Sequence, residues 1–137
     1  MHLSTKVRYA ARAMIELAAR YREEPIQLNE IACEQEISVK YLEQIMAPLR
    51  AKGFVRTQKG SRGGYHLAVD PSRISLLDIV ESVEGSIAPV SCVKTETHCD
   101  RLEKCITRSV WIRVSDAIKK ELQAMTLAEL AEEQKKL

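Results

Sequence analysis

Apolar residues recur along the chain at two spacings, and the switch between them marks out its parts. After Ser4, the residues Val7, Ala10, Ala11, Met14, Leu17, Ala18 and Tyr21 follow at steps of three and four. That is one face of an amphipathic helix. Ser4 can cap its start and Pro25 ends it. Leu28, Ile31 and Ala32 predict a short second helix reaching Gln35, although Gln27 is a poor cap for it. Tyr41, Leu42, Ile45, Met46 and Leu49 form the stripe of a third helix, capped by Ser38 and stopped by Gly53. Pro48 inside this pattern predicts a kink or a tightened last turn. The step then changes to two. The runs "FVRTQ" and "YHLAV" alternate and are joined by "KGSRGG", which predicts a β-hairpin with a glycine-rich tip.

Beyond Pro71 the helical step returns. In "SLLDIVESVEG", Ser75 and Asp78 stand at capping-box spacing and Gly85 is the stop. A polar segment follows, roughly residues 86–105. Val110, Trp111, Val114, Ala117, Ile118, Leu122 and Met125 then share one face of a helix of four to five turns. Thr126 and Glu129 form another capping box, opening a last short helix through Leu130.

Two short helices with a brief turn between them, the second better capped, are the helix-turn-helix layout. A hairpin directly after it makes a winged helix. The expected fold is therefore mainly α with a small β-hairpin. Residues 1–85 are the winged helix-turn-helix domain, 86–107 a cysteine-bearing loop, and 108–137 a long helix with a short C-terminal one. The winged domain has its own core. Trp111, Val114, Ile118 and Leu122 are thus expected to bury against a second copy of the chain, making a homodimer. Packing back onto the same domain is the alternative.

Composition narrows the function. Of 137 residues, 45% are hydrophobic but only six are aromatic, so the core must be Ile, Leu, Val, Met and Ala. No apolar run approaches the ~18 residues of a membrane span. The N-terminus lacks the apolar block of a secretion signal. A cytoplasmic protein with no membrane partner is expected. Residues 1–70 carry 11 Lys/Arg against 8 Asp/Glu. Arg50, Lys52, Arg56, Lys59 and Arg62 follow one another with no acid between them. Such a run is a phosphate-binding surface or a solvated basic face.

The second helix of a helix-turn-helix enters the major groove with its N-terminal residues on base edges. Here these are Ser38, Lys40, Tyr41, Glu43 and Gln44, with Tyr41 partly on the core stripe. Gln pairs with adenine, Lys meets guanine or phosphate, and Glu accepts from the cytosine amino group. Glu43 is alternatively a surface partner for Lys40. Lys59, Ser61, Arg62 and Gly63 form the wing tip, where small glycines let it approach the duplex and Arg62 enter the minor groove. Arg50 and Arg56 are phosphate contacts. The tip precedes a strand rather than a helix, which argues against a nucleotide loop. The expected partner is double-stranded DNA. No nucleophile–base pairing or cofactor loop suggests an enzyme.

Three of the four cysteines, Cys92, Cys99 and Cys105, lie on the polar segment. In a reducing compartment such a group points to metal or redox chemistry. The spacing is neither a zinc ribbon nor a ferredoxin run. Three thiolates on a loop can surround one soft centre, and both iron–sulfur clusters and zinc accept them. Four ligands are usual. His98 is the candidate fourth, with Glu96, Asp100 and Glu103 weaker donors and a residue of the partner subunit a further source. Three unligated thiols are the plainer alternative. Cys33 is incidental.

Together these stretches resemble the Rrf family of winged-helix repressors. The resemblance rests on "LSTKVRYAARAMIELA", "ISVKYLEQIMAPLRAKGFV", "GSRGGYHLA", "SLLDIVESVEGSIAPVSC", "CITRSVW" and "TLAEL", in order over nearly the whole chain. It implies a homodimer joined by the long helix and bound to a two-fold operator. In the iron–sulfur regulator branch it implies that Cys92, Cys99 and Cys105 hold a cluster, [2Fe–2S] in type. Cluster-assembly genes would be repressed when cluster is plentiful. Where that branch has a histidine three residues after the third cysteine, this chain has Arg108. Where the nitric-oxide-sensing branch has an aspartate on the first helix, it has Arg8. The segment "SIAPV" is shared with regulators of cysteine metabolism, which lack the cysteine trio. Those two branches, and a zinc-stabilised regulator, are the alternatives.

Overall fold

The computed structural model describes residues 2–95 and 99–137. Seven α-helices and one hairpin follow in the order α1 (Thr5–Ala19), α2 (Leu28–Gln35), α3 (Val39–Ala51), β1 (Val55–Gln58), β2 (Gly64–Leu67), a 3₁₀ turn (Pro71–Arg73), α4 (Leu76–Glu84), α5 (Ser91–Lys94), α6 (Ile106–Ala124) and α7 (Leu127–Lys135).

Side-chain caps set most helix starts. The hydroxyl of Ser4 accepts from the Val7 N–H at 3.2 Å and that of Ser38 from the Tyr41 N–H at 3.1 Å. Ser75 with Asp78, and Thr126 with Glu129, complete reciprocal capping boxes. Gln27 makes no side-chain cap for α2. The turn between α2 and α3 is three residues, Glu36 to Ser38, with Glu36 left-handed at φ +56°. Pro48 does not break α3, which continues to Ala51.

One core holds the molecule together. Met14, Leu17, Ile31, Leu42, Ile45, Met46, Leu49, Ile74 and Ile79 are fully or almost fully buried in it. On α1 the inward positions include Ala13, while Ala11 is only half-buried. The wing is antiparallel, with Val55 opposite Leu67 and Gln58 opposite Gly64.

Two features depart from the expected division of the chain. The last helix runs to Lys135 rather than Leu130, and it packs on α1 with Leu127 and Ala131 inside the common core. The boundary at residue 108 therefore does not separate two cores. A short antiparallel bridge joins the corner between α6 and α7 to the start of α4. Leu76 N–H donates to Met125 O at 2.8 Å, and Leu127 N–H to Ile74 O at 2.9 Å. The long helix begins at Ile106 and packs against α4 and α5. Ser115 is its one buried residue.

Candidate nucleic-acid interface and cysteine segment

The third helix presents a polar edge because its apolar stripe is turned inward. Leu42, Ile45, Met46 and Leu49 are buried. That leaves Ser38, Lys40, Glu43, Gln44, Ala47 and Arg50 exposed. Tyr41 is half-buried and stacks edge-to-face on Tyr9 of α1, with ring centroids 6.2 Å apart. The Arg12 guanidinium lies 5.4 Å above the Tyr9 ring. The aromatic pair therefore fixes α3 on α1, and only part of Tyr41 is open to a duplex.

Arg56 on β1 and Lys59, Ser61 and Arg62 at the wing tip are exposed. Gly63 is buried, so it offers the duplex no surface of its own. An open cleft between α3 and the wing is lined by Glu43, Ala47, Arg50, Ala51 and Tyr65. Among the described residues the ion pairs are Arg20–Glu30 at 2.8 Å and Lys135–Glu132 at 3.1 Å. Neither involves Lys40, Arg50, Lys52, Arg56, Lys59 or Arg62. This face is net positive, its basic side chains outnumbering the acidic Glu43, as phosphate binding requires.

All four cysteines are free thiols. Cys92 is half-buried on the single-turn helix α5, Cys99 is exposed, and Cys105 is the N-cap residue of α6. Cys105 Sγ lies 3.2 Å from Thr107 Oγ1. That hydrogen bond, helped by the Arg108 backbone N–H, holds the Cys105 thiol below the usual range. The donor set suits a soft metal centre: three reduced thiols, accessible or half-accessible, on one segment. Among the described residues no three Cys, His, Asp or Glu side chains are gathered around a common point. His98, the candidate fourth ligand, lies outside the described residues. Cys33 is exposed on α2, away from this segment in sequence.

The expected dimer stripe is uneven. Val110 and Trp111 are exposed, whereas Val114, Ile118 and Leu122 are half-buried. Ile118 and Leu122 form one wall of a largely apolar, partly open cavity of about 380 Å³, lined also by Leu3, Ile87, Ala88 and Pro89 and by the polar His2, Glu84 and Ser86.

A family model described as Rrf2, an iron-dependent transcriptional regulator, matches residues 3–133. The chain belongs to the Rrf2 family. The solved structure of CymR, the global cysteine regulator of B. subtilis, superposes with a TM-score of 0.83 at 39% identity. The match covers 96% of this chain and 97% of that one. IscR of T. potens gives a TM-score of 0.80 at 34% identity, over 98% of this chain and 88% of its own. The HTH-type transcriptional regulator IscR of Serratia proteamaculans is 37% identical over 98% of this chain and 81% of its own length.

As an Rrf2-family transcriptional regulator, the molecule has the winged-helix fold, with the polar edge of α3 and the wing tip both exposed. Sequence reasoning missed two parts of this face. Ala47 is an exposed small residue on α3, and Gln27 reaches the wing tip, its Nε2 donating to Ser61 O at 3.4 Å. The poor helix cap at Gln27 was the available signal. The Nε of Arg108 is buried without a partner among the described residues.

Proposed function

We propose that this Rrf2-family protein is a homodimeric cytoplasmic repressor that reads a two-fold operator and senses iron–sulfur cluster status through Cys92, Cys99 and Cys105. Cluster-assembly genes are its targets. The reading is carried by the position of the free thiols: all three lie between α4, at the end of the winged domain, and the first turn of α6. Lys40, Glu43 and Gln44 read bases, while Arg50, Arg56, Lys59 and Arg62 meet the backbone and minor groove.

When bound, the cluster, [2Fe–2S] in the branch this chain resembles, supplies a soft centre whose presence follows cellular iron and sulfide. The protein's part is geometric. Cys92, Cys99 and Cys105 must be drawn together to hold it, with His98 or a partner-subunit residue as fourth ligand. Drawing them together folds residues 89–107 against α6 and the first helix of the partner. Val110, Trp111, Val114, Ile118 and Leu122 pack α6 against its copy. Ordering one side of α6 therefore biases the spacing of two recognition helices, which must match half-sites about one helical turn apart.

Anaerobic purification with iron and sulfide analysis tests this directly. Wild type should be coloured and hold iron, and Cys92→Ser, Cys99→Ser and Cys105→Ser should lose both. Footprints of loaded and stripped protein on the same promoters should differ. Iron-free, colourless wild type with unchanged footprints refutes the sensing. The likeness to the B. subtilis cysteine regulator supports a second reading, control of cysteine metabolism. Under that reading the three Cys→Ser variants repress as well as wild type.

A further inference from the structure

The wing is fastened to the chain just before α2, and the fastening has no slack. Ile26 N–H donates to Tyr65 O at 2.9 Å, and Tyr65 N–H to Ile26 O at 2.7 Å. Gln27 adds its side-chain bond to Ser61 O at 3.4 Å. A Cβ placed on Gly64 would lie 2.4 Å from Ile26 O, and one on Gly63 would lie 2.0 Å from Gln58 O. Both obstacles are backbone, so neither can swing aside. Gly64 also has φ +154°, a value other residues rarely adopt. The glycines of "RGGY" are thus required by the protein's own packing rather than by close approach of DNA. Arg62 sits between them and Ser61, held from both sides. Gln27 directly precedes α2, which packs on α3.

We infer that Gly64 and Gln27 are positioning residues for DNA recognition, fixing Arg62 at a set offset from the base-reading edge of α3. This rests on the reading of α3 and Arg62 as DNA contacts. A tip already held in place loses little freedom on binding. Two contacts at fixed separation also discriminate between duplexes of different groove width.

The test uses the full chain and a duplex selected from a random pool by the wild-type protein, read by fluorescence anisotropy across a salt series. Arg62→Ala and Gly64→Ala should each weaken binding roughly tenfold and flatten the log–log salt slope by about one. Gln27→Ala should weaken it about two- to threefold. Either positioning variant combined with Arg62→Ala should bind no worse than Arg62→Ala alone, the sign that it acts through that arginine. Hydrogen exchange should show the Tyr65 and Ile26 amides of Gly64→Ala losing protection while the α3 amides keep theirs. Additive double variants, or unchanged affinity despite lost protection, overturn the inference while leaving the wing contact standing. An Arg62→Ala variant that binds normally overturns the wing contact and the inference together. Should Gly64→Ala not fold, the Gln27→Ala and Arg62→Ala pair decides by the same criterion.

Discussion

Truncating Leu127 asks whether the C-terminal helix is structural or an appendage. Leu127 opens α7, is fully buried, and shares the core with residues of α1, α3 and α4. Its N–H is also committed to Ile74 O. Leu127→Ala removes buried methyl groups and leaves a cavity, which in well-packed cores costs about 2.7–5 kcal/mol. The first turn of a helix beside a loop can partly collapse, so the lower end, about 3 kcal/mol, is expected. For a chain of this size that lowers Tm by roughly 10 °C. Urea unfolding at fixed protein concentration measures it, followed by far-UV circular dichroism and by the fluorescence of Trp111, the one tryptophan. Both midpoints should fall together with an unchanged m-value. A loss below about 1 kcal/mol, or two probes reporting separate transitions, would show that α7 stands outside the cooperative core.

Other outcomes follow from particular contacts. Ser38→Ala removes the cap on α3 and should cost about 1 kcal/mol in urea unfolding; a neutral result means the cap is replaced by solvent. Glu36→Gly relieves the left-handed residue of the α2–α3 turn and should add about 0.5–1 kcal/mol by the same measurement. Burial, and secondly Glu34, hold the Glu16 carboxyl above its ordinary value of 4.5, with Arg20 opposing. The folded state then binds this proton more tightly than the unfolded one. Glu16's share of stability is therefore complete below 4.5 and lost as pH rises through the folded-state pKa. Glu16→Gln should be more stable than wild type at pH 7 and lose that advantage in acid; parallel pH profiles contradict this. On the proposed homodimer, Val114→Glu should leave a monomer in sedimentation velocity, and an unshifted dimer peak places the interface elsewhere.

Capping chemistry was the most legible part of the sequence. Ser4, Ser38, Ser75 and Thr126 all cap the helices they precede, because a hydroxyl at that position needs only its local backbone. The hairpin was equally local. What needed the structure was tertiary. α7 outruns its apolar pattern because "AEEQKK" consists of good helix formers, with Ala131 its only buried contact. The four-residue α5 is too short to carry a period. Gly63 belongs inside the molecule although Ser61 and Arg62 before it are polar and exposed, since its reason is the carbonyl of Gln58 across the hairpin. The exposed residues of α3 follow from its stripe, whose buried side dictates its open one. The arrangement of the three cysteines was not legible, as three thiols on a loop do not specify how the loop closes.

The bridge between Met125 and Leu76 makes α6 a lever rather than a tether. Its C-terminal end is clasped beside α4 by backbone hydrogen bonds, and among the described residues the opposite end, bearing Cys105, has no such backbone bridge and is held by packing alone. A helix of 19 residues is about 28 Å long. Pivoting by about 10° at the clasped corner therefore carries the far tip roughly 5 Å. A displacement of that size in the thiol segment, at the far tip, thus corresponds to only a small rotation of the arm, its movement largest near Val110 and Trp111 and fading toward the clasp.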